Sequence, residues 1–497
     1  MPVLDYIDSD IFTPVYSNKL PVLKSQQVDA ICKELFYAIK GKEAILIYGD
    51  YDMDGFSAAQ VWDEVFTTLY SVPPVHFNYI QRQHTVDSNL LAQAKKSGAR
   101  VVLILDSGSG ASDHSIVSML RLNGFTPIVI DHHNWEGDYA EACRHDLIFN
   151  SHEERELLGG AEISGAYASL LVASVLCEKY FHHSLSYNAM VYALASMYSD
   201  VVDLATPPGR ALYNMVSTIK MPGPLLFNTM NEWAYTYCRR MFSFIIGPKI
   251  NACFRTEQFG PLNRAFSAKD KYEMNSVFSQ FKEVHADAVQ LVNTFTPLFR
   301  REKIGDIALC TIEATDETRA LHIRNFSGLI ANKIAHEEKC MVVVAIKDRR
   351  HYEGSYRDFY NRQMLSTFKL FCKADGHDSA FGLEFNNLND IRRHLNSLAT
   401  MLEVSVRKDY DVLASSLVRD ATDIQALALY NEYMNVRPRM MLIHRCSYAR
   451  QVRATTYRKF FEVGLPYLVS STLPLIEGSN ILVEPTISKT VELRCVE

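Results

Sequence analysis

Three short stretches hold most of the residues in this sequence that could do chemistry together. Gly49-Asp-Tyr-Asp-Met-Asp-Gly55 puts Asp50, Asp52 and Asp54 at alternate positions. Asp106 directly follows the apolar run Val101–Leu105, and Asp131, His132 and His133 directly follow Pro127–Ile130. Carboxylates gathered within a few ångströms raise one another's pKa and cannot all stay ionised without a cation. Mixed oxygen and imidazole donors suit Mn2+ or Mg2+ rather than a thiolate-bound metal. Two such ions can activate a water and clamp both oxygens of an in-line phosphoryl displacement. No Gly-x-Ser-x-Gly sequence points to a covalent serine mechanism instead.

Each stretch alone has a commoner use. Asp-x-Asp-x-Asp-Gly also opens calcium loops, but the Glu due six residues after Gly55 is Val61, and a strand rather than a helix precedes it. An Asp after a strand, like Asp106, is more often a helix N-cap than a ligand. Asp-His-His is a weak tripeptide by itself. The order carries the signal: an acidic triplet, then one Asp, then Asp-His-His, each after an apolar strand.

Those strands define the elements that must position the site. Ala44–Tyr48, His76–Ile80, Val101–Leu105 and Pro127–Ile130 read as short β-branched strands; Ser57–Leu69, Ser88–Ser97 and Ser112–Asn123 read as amphipathic helices between them. Such alternation implies a parallel sheet covered on both faces, with ligands bound beyond the carboxyl ends of its strands. Ser164 to Tyr235 reads as mostly helical. Phe278–Lys303 reads as a long connecting helix kinked near Pro297. Alternation resumes with strand Ile307–Ile312, helix Ser327–His336, strand Cys340–Ile346 and strand Tyr352–Tyr356, as a smaller α/β domain ending near Val406. Beyond Arg437, Leu442–His444, Ile481–Glu484 and Thr490–Arg494 are strand-like. No internal repeat or low-complexity segment occurs.

A chain of 497 residues suggests about three domains. No apolar run approaches the roughly 20 residues of a membrane span. Met1 to Asp10 carries three Asp and no Lys or Arg, unlike a signal peptide. The ten cysteines include no Cys-x-x-Cys, which argues against a disulfide framework or a zinc ribbon and fits a reducing cytoplasm. Net charge is −6, yet Tyr433 to Phe461 holds Arg437, Arg439, Arg445, Arg450, Arg453, Arg458 and Lys459 with no acidic residue. A solvated face would explain that stretch; so would a polyanion partner, with Tyr448, Tyr457 and Phe460 as stacking surfaces for single-stranded bases.

From about Ile45 to Phe385 the sequence resembles the DHH phosphoesterase superfamily, and more closely its RecJ-type single-strand DNA exonucleases. Gly49–Gly55 resembles the first motif, Leu105-Asp-Ser-Gly108 the second, and Asp131-His-His133 the third. Ala195-Ser-Met-Tyr-Ser-Asp-Val-Val-Asp-Leu204 resembles the fourth, which adds Asp200. Gly247-Pro-Lys-Ile-Asn-Ala-Cys-Phe-Arg255 is similar to a segment of the RecJ-like members; Gly354-Ser-Tyr-Arg357 and Asp375-Gly-His-Asp-Ser-Ala-Phe-Gly382 resemble motifs of the DHH-associated domain. Two departures stand out. Asp375 replaces a glycine beside His377, and Phe254 replaces one before Arg255. The family's oligonucleotide-binding barrel is not recognisable.

The resemblance implies an α/β fold: a parallel-sheet DHH catalytic domain (1–260), a connecting helix (261–304), a smaller α/β DHH-associated domain (305–410) and a short basic C-terminal accessory region (411–497). It implies that Asp50, Asp52, Asp54, Asp106, His132 and Asp200 hold two divalent ions, Mn2+ or Mg2+, with Asp106 as bridge. Asp131, Asp106 and His133 would serve catalysis, His133 donating a hydrogen bond to the scissile phosphate or its leaving group. Asn251, Arg255, Ser355, Arg357, Gly376 and His377 would contact substrate, arginine because its planar fork matches phosphate oxygens. The implied activity is hydrolysis of single-stranded DNA from the 5′ end to mononucleotides, in repair or recombination beside a single-strand-binding protein or helicase. Two alternatives stay open: a phosphodiesterase for short oligonucleotides or cyclic dinucleotides, and an inactive scaffold of this fold. Filled ligand positions weigh against the scaffold.

Overall fold

The computed structural model describes residues 19–496, except 71–73, 77–85, 87–88, 219–221, 232–236, 350, 361, 378–379, 402–409, 415–420, 434–438, 446–449, 455–458, 463–464, 466, 468, 472–474, 476–479 and 488–490. The chain divides into two compact units. One comprises Met1–Asn251, Leu262–Phe278 and Tyr410–Glu497; the other comprises Ala252–Pro261 and Ser279–Asp409.

In the first unit, Ile45–Gly49 (β1) and Val101–Leu105 (β3) are buried along their whole length, as strands covered on both faces must be. With Val75–His76 (β2), Thr126–Asp131 (β4) and Leu147–Asn150 (β5) they form a wholly parallel sheet of order β2-β1-β3-β4-β5. The order reverses between β1 and β3, so the crevice where such sheets bind ligands opens beyond those two strands. Asp50 and Asp106 are the residues that follow them. The ladder continues past the strand ends, the Asp50 amide donating to Leu105 O and that of Asp106 to Ile130 O, which fixes the backbone of both. The expected strand His76–Ile80 is observed only as Val75–His76; 77–80 lie outside the described residues. Strand β5 was not foreseen.

Helix Met53–Leu69 begins four residues before the expected Ser57, because Asp52 caps it: Asp52 Oδ1 accepts from the amides of Asp54 (2.8 Å) and Gly55 (3.0 Å). Gly49 and Gly55 lie back to back. A Cβ on Gly49 would fall 2.3 Å from Gly55 O, and one on Gly55 would fall 2.3 Å from Asp50 N. Helices Gly165–Val175 and Tyr187–Ser199 complete the covering of the site.

The long connector differs from expectation. It runs Lys271–Phe295 and ends at the Thr296–Leu298 turn, where Pro297 supplies no amide. Arg300–Ile304 is then a strand (β6) rather than the last turns of a helix. In the second unit, a six-stranded sheet has the order β10-β11-β9-β8-β7-β6, with β7 (Ile307–Glu313), β8 (Met341–Asp348), β9 (His351–Asp358), β10 (Lys373–His377) and β11 (Ala380–Phe385). Only β7 and β8 pair in parallel; the other neighbours are antiparallel.

The C-terminal residues add β12 (Tyr410–Ala414), β13 (Arg439–Arg445), β14 (Arg450–Ala454), β15 (Lys459–Glu462), β16 (Val469–Ser471), β17 (Asn480–Ile487) and β18 (Val491–Val496), which form a seven-stranded sheet of order β12-β13-β17-β18-β16-β15-β14, with helix Ala421–Tyr433 against β17. The basic stretch falls largely on β13 (Arg439–Arg445), β14 (Arg450–Ala454) and β15 (Lys459–Glu462). The fold is thus α/β: a parallel-sheet domain, a long helix, a smaller α/β domain and a C-terminal region richer in strands than its sequence suggested. Among the described residues, eight cysteines are free thiols. No described helix is long and apolar enough to cross a membrane.

Candidate metal centre

Four donors from four elements meet at the carboxyl end of the sheet. His132 Nε2 lies 3.1 Å from Asp106 Oδ1, 3.7 Å from Asp54 Oδ2 and 3.7 Å from Asp200 Oδ2. Donors sharing one ion at about 2.1 Å in octahedral geometry are about 3 Å apart, so these spacings suit a common cation. Asp54, His132 and Asp200 each place one donor atom within 4.8 Å of the others; so do Asp106, Asp131, His132 and His133.

The electrostatics ask for a cation. Asp106 is buried and its Oδ1 accepts no hydrogen bond. Burial, and then the charges of Asp54, Asp52, Asp50 and Asp131, push its carboxyl far above the ordinary range. Asp54 is pushed up likewise, by burial and then by Asp200 and Asp52. Buried like charges with unspent lone pairs are stable only when neutralised, by protons or by metal. The donor set therefore fits divalent cations.

Asp106 has φ +58°, a left-handed conformation that Asp tolerates better than most residues. Helix Gly165–Val175 holds this corner, a role that no sequence feature signalled. The amides of Gly165 and Ala166, at its N-terminus, donate to Asp54 Oδ2 (2.7 Å) and Oδ1 (2.8 Å). A helix N-terminus favours the carboxylate form, offsetting part of the desolvation. Gly165 also presses on Asp106, since a Cβ there would stand 2.5 Å from Asp106 Oδ1.

Asp131 has little left for a metal. Its Oδ1 accepts from the amides of His132 (2.7 Å) and His133 (3.3 Å) and faces His133 Nδ1 at 2.8 Å; its Oδ2 accepts from Ser109 N (3.1 Å) and Oγ (2.6 Å). Burial alone would raise its pKa, but His133, His132 and the Ser109 hydroxyl together outweigh burial and hold it low. In return, though partial burial opposes it, Asp131 draws His133 up to about 10. The His133 side chain is 54 % exposed, so with Nδ1 turned to Asp131 it presents Nε2–H outward. Asn150, another residue the sequence did not mark, ties the turn by donating to Ser109 Oγ and His133 O, both at 2.8 Å.

Asp50 and Asp52 belong to neither donor set. Asp52 spends Oδ1 on its cap, while the charge of Asp50 is felt by Asp106 and His133. Of the expected substrate residues, Asn251 lies in this unit and accepts a hydrogen bond from Met53 N (2.8 Å), pinning the turn between Asp52 and Asp54. The others lie in the second unit. Arg255 accepts from Asn325 Nδ2 through its backbone carbonyl (3.1 Å), and Ser355 Oγ pairs with Ser327 Oγ (2.8 Å). Arg357 donates from Nη1 to Tyr356 O (2.6 Å), and burial lowers its pKa to about 10. No carboxylate pairs with it among the described residues. Gly376 has φ +130°, and the side chains of Asp375 and His377 lie outside the described residues.

The DHH family, N-terminal domain, matches residues 44–196. The SPbeta prophage-derived protein YorK of Bacillus subtilis, named there a single-strand DNA-specific exonuclease, is 21% identical over 427 residues, covering 78% of this chain and 72% of that protein. The single-stranded-DNA-specific exonuclease RecJ of the same bacterium is 19% identical over 382 residues, covering 73% of this chain and 46% of RecJ. Among solved structures, RecJ of Thermus thermophilus in complex with Mn2+ superposes with a TM-score of 0.71 at 17% identity, over 96% of this chain and 72% of that one; its Mg2+ complex gives 0.65 at 16%.

Proposed function

We propose that this chain, a RecJ-like member of the DHH superfamily, is a two-metal phosphodiesterase that degrades single-stranded DNA. The observation that carries the reading is the meeting of Asp54, Asp106, His132 and Asp200 around one point, with Asp106 buried, its Oδ1 accepting no hydrogen bond and its carboxyl raised by burial and by neighbouring carboxylates. Asp54, Asp106, His132 and Asp200 would hold the ions, with Asp106 as bridge and Asp50 and Asp52 as neighbouring charges. When bound, two Mn2+ or Mg2+ ions would supply an activated water and neutralise the charge developing on a phosphoryl group.

The protein's own groups do the rest. Asp131 orients His133, whose Nε2–H is free to donate to a phosphate oxygen or leaving group. The Gly165 and Ala166 amides keep Asp54 in place. Arg357, a partly buried cation, is suited to a phosphate, and with Arg255 and Ser355 it would grip the DNA backbone. Single-stranded DNA as substrate is supported by the names of the similar proteins and by the basic strands β13 to β15. Degradation would start from the 5′ end and release mononucleotides.

The deciding assay is Mn2+-dependent release of mononucleotides from 5′-labelled single-stranded DNA, with Asp106→Ala as control. Release lost in that variant supports the reading. Cleavage of dinucleotides alone would move the protein to short-oligonucleotide chemistry, and no cleavage with either metal would make it a scaffold.

A further inference from the structure

Asp200 arrives at the metal centre from the end of a helix, not from the sheet, and the turn that presents it is strained. Helix Tyr187–Ser199 closes with the Asp200 amide on Ser196 O (2.9 Å) and the Val202 amide on Met197 O (3.0 Å). Between them, Val201 has φ +57° and is 52% exposed. Glycine is the usual residue at that place, because a β-branched side chain in the left-handed region is costly. Such a conformation persists only where its surroundings hold it.

Tyr198, two residues before Asp200, is anchored from far along the chain. Its ring is 2% exposed and stacks on Phe242. Its hydroxyl donates to Glu432 Oε1 at 2.7 Å, a buried bond across 234 positions of sequence. The same oxygen accepts from the backbone amide of Arg239. Glu432 belongs to the C-terminal helix Ala421–Tyr433, and its neighbour Asn431 donates to Pro485 O of β17 (3.0 Å). A continuous path of buried hydrogen bonds thus runs from the C-terminal sheet to the helix end that bears Asp200.

We propose that Tyr198 and Glu432 are positioning residues through which the C-terminal region holds Asp200 in its metal-binding place. The proposal rests on the metal-centre reading above. It gives the C-terminal region a part in metal binding that does not require contact with nucleic acid. Groups that orient metal ligands typically change affinity about 10–100-fold when lost.

The test is Mn2+ binding by the full chain, followed by electron paramagnetic resonance of the free ion, with circular dichroism to verify the fold. Tyr198→Phe and Glu432→Leu should each weaken Mn2+ binding about 10-fold. Their combination should be no weaker than the worse single variant, because both break one bond. Glu432→Gln keeps an oxygen that accepts from Tyr198 and Arg239, so it should bind Mn2+ within about 2-fold of wild type; this also keeps the test decisive if Glu432→Leu fails to fold. A folded Tyr198→Phe protein with wild-type Mn2+ affinity would overturn the proposal. Normal Mn2+ uptake, lost in Asp106→Ala, without any hydrolysis of DNA would sink the nuclease reading while leaving this clamp intact.

Discussion

Asp106 concentrates the cost of building this centre in one side chain. It is buried, takes a left-handed backbone, accepts no hydrogen bond at Oδ1 and faces four other carboxylates. Asparagine has nearly the same shape and tolerates the same backbone, but carries no charge. Asp106→Asn should therefore raise the stability of the metal-free protein by about 1 kcal/mol, the usual return on relieving a strained functional site. It should also remove the shift in melting temperature that Mn2+ produces in the wild type. Differential scanning calorimetry with and without Mn2+ reads both effects. A metal-free variant less stable than wild type would mean that the carboxylate is held by contacts rather than tolerated for its ligand role. Asp131 is the contrasting case: its oxygens are filled by amides, Ser109 and His133, so its work is orientation.

The elements divide by how they reach the site. The strands that lead into the site were legible, because β1, β3 and β4 are short β-branched runs that close on an acidic residue, Asp50, Asp106 and Asp131. Asp200 was legible only through family resemblance, since a carboxylate after a helix has many uses. The Gly165–Val175 helix falls in the stretch read as helical, but its role at the site left no mark, because that role lies in two backbone amides and a missing side chain. Arg300–Ile304 was misread for a related reason. Arg-Arg-Glu-Lys suits a helix as well as a strand, and only pairing with β7 decides, at a sheet edge where most of these side chains stay out of the core. The glycine gives a clean test at this scale. Gly165→Ala should favour its helix by up to about 1 kcal/mol in propensity. Yet its Cβ must displace Asp106, so Mn2+ affinity should fall about 10-fold or more, by isothermal titration, in a protein that still folds. Unchanged affinity would show that the helix can slide away without disturbing the metal ligands.

Across the whole molecule, the first compact unit joins residues 1–251 to 410–497, with all of the second unit lying between them in sequence. The metal centre and the C-terminal sheet should accordingly melt together, and buried Glu432 makes that common stability depend on pH. Burial raises its carboxyl from the ordinary 4.5 to about 7, more than the Arg239 amide and the Tyr198 hydroxyl lower it. The fold thus favours the protonated form. The stability this contributes is complete below about pH 4.5 and is lost as pH rises through about 7. A displacement from 4.5 to about 7 corresponds to about 3 kcal/mol. Asp54 and Asp106 are raised in the same sense, so the metal-free wild type should lose stability in its first unit between pH 5 and pH 8 by more than Glu432 alone explains. Saturating Mn2+ should cancel the part due to the two aspartates, because the ions replace their protons. Glu432→Gln should cancel the glutamate's own share, because the amide has no proton to lose. Melting curves of the two proteins at pH 5 and pH 8, each with Mn2+ present, isolate the glutamate: the wild type should fall more steeply over this interval than Glu432→Gln, which keeps only the loss due to the raised His133. Parallel curves would show that Glu432 is ionised in the fold, with its charge carried by the two donors on Oε1.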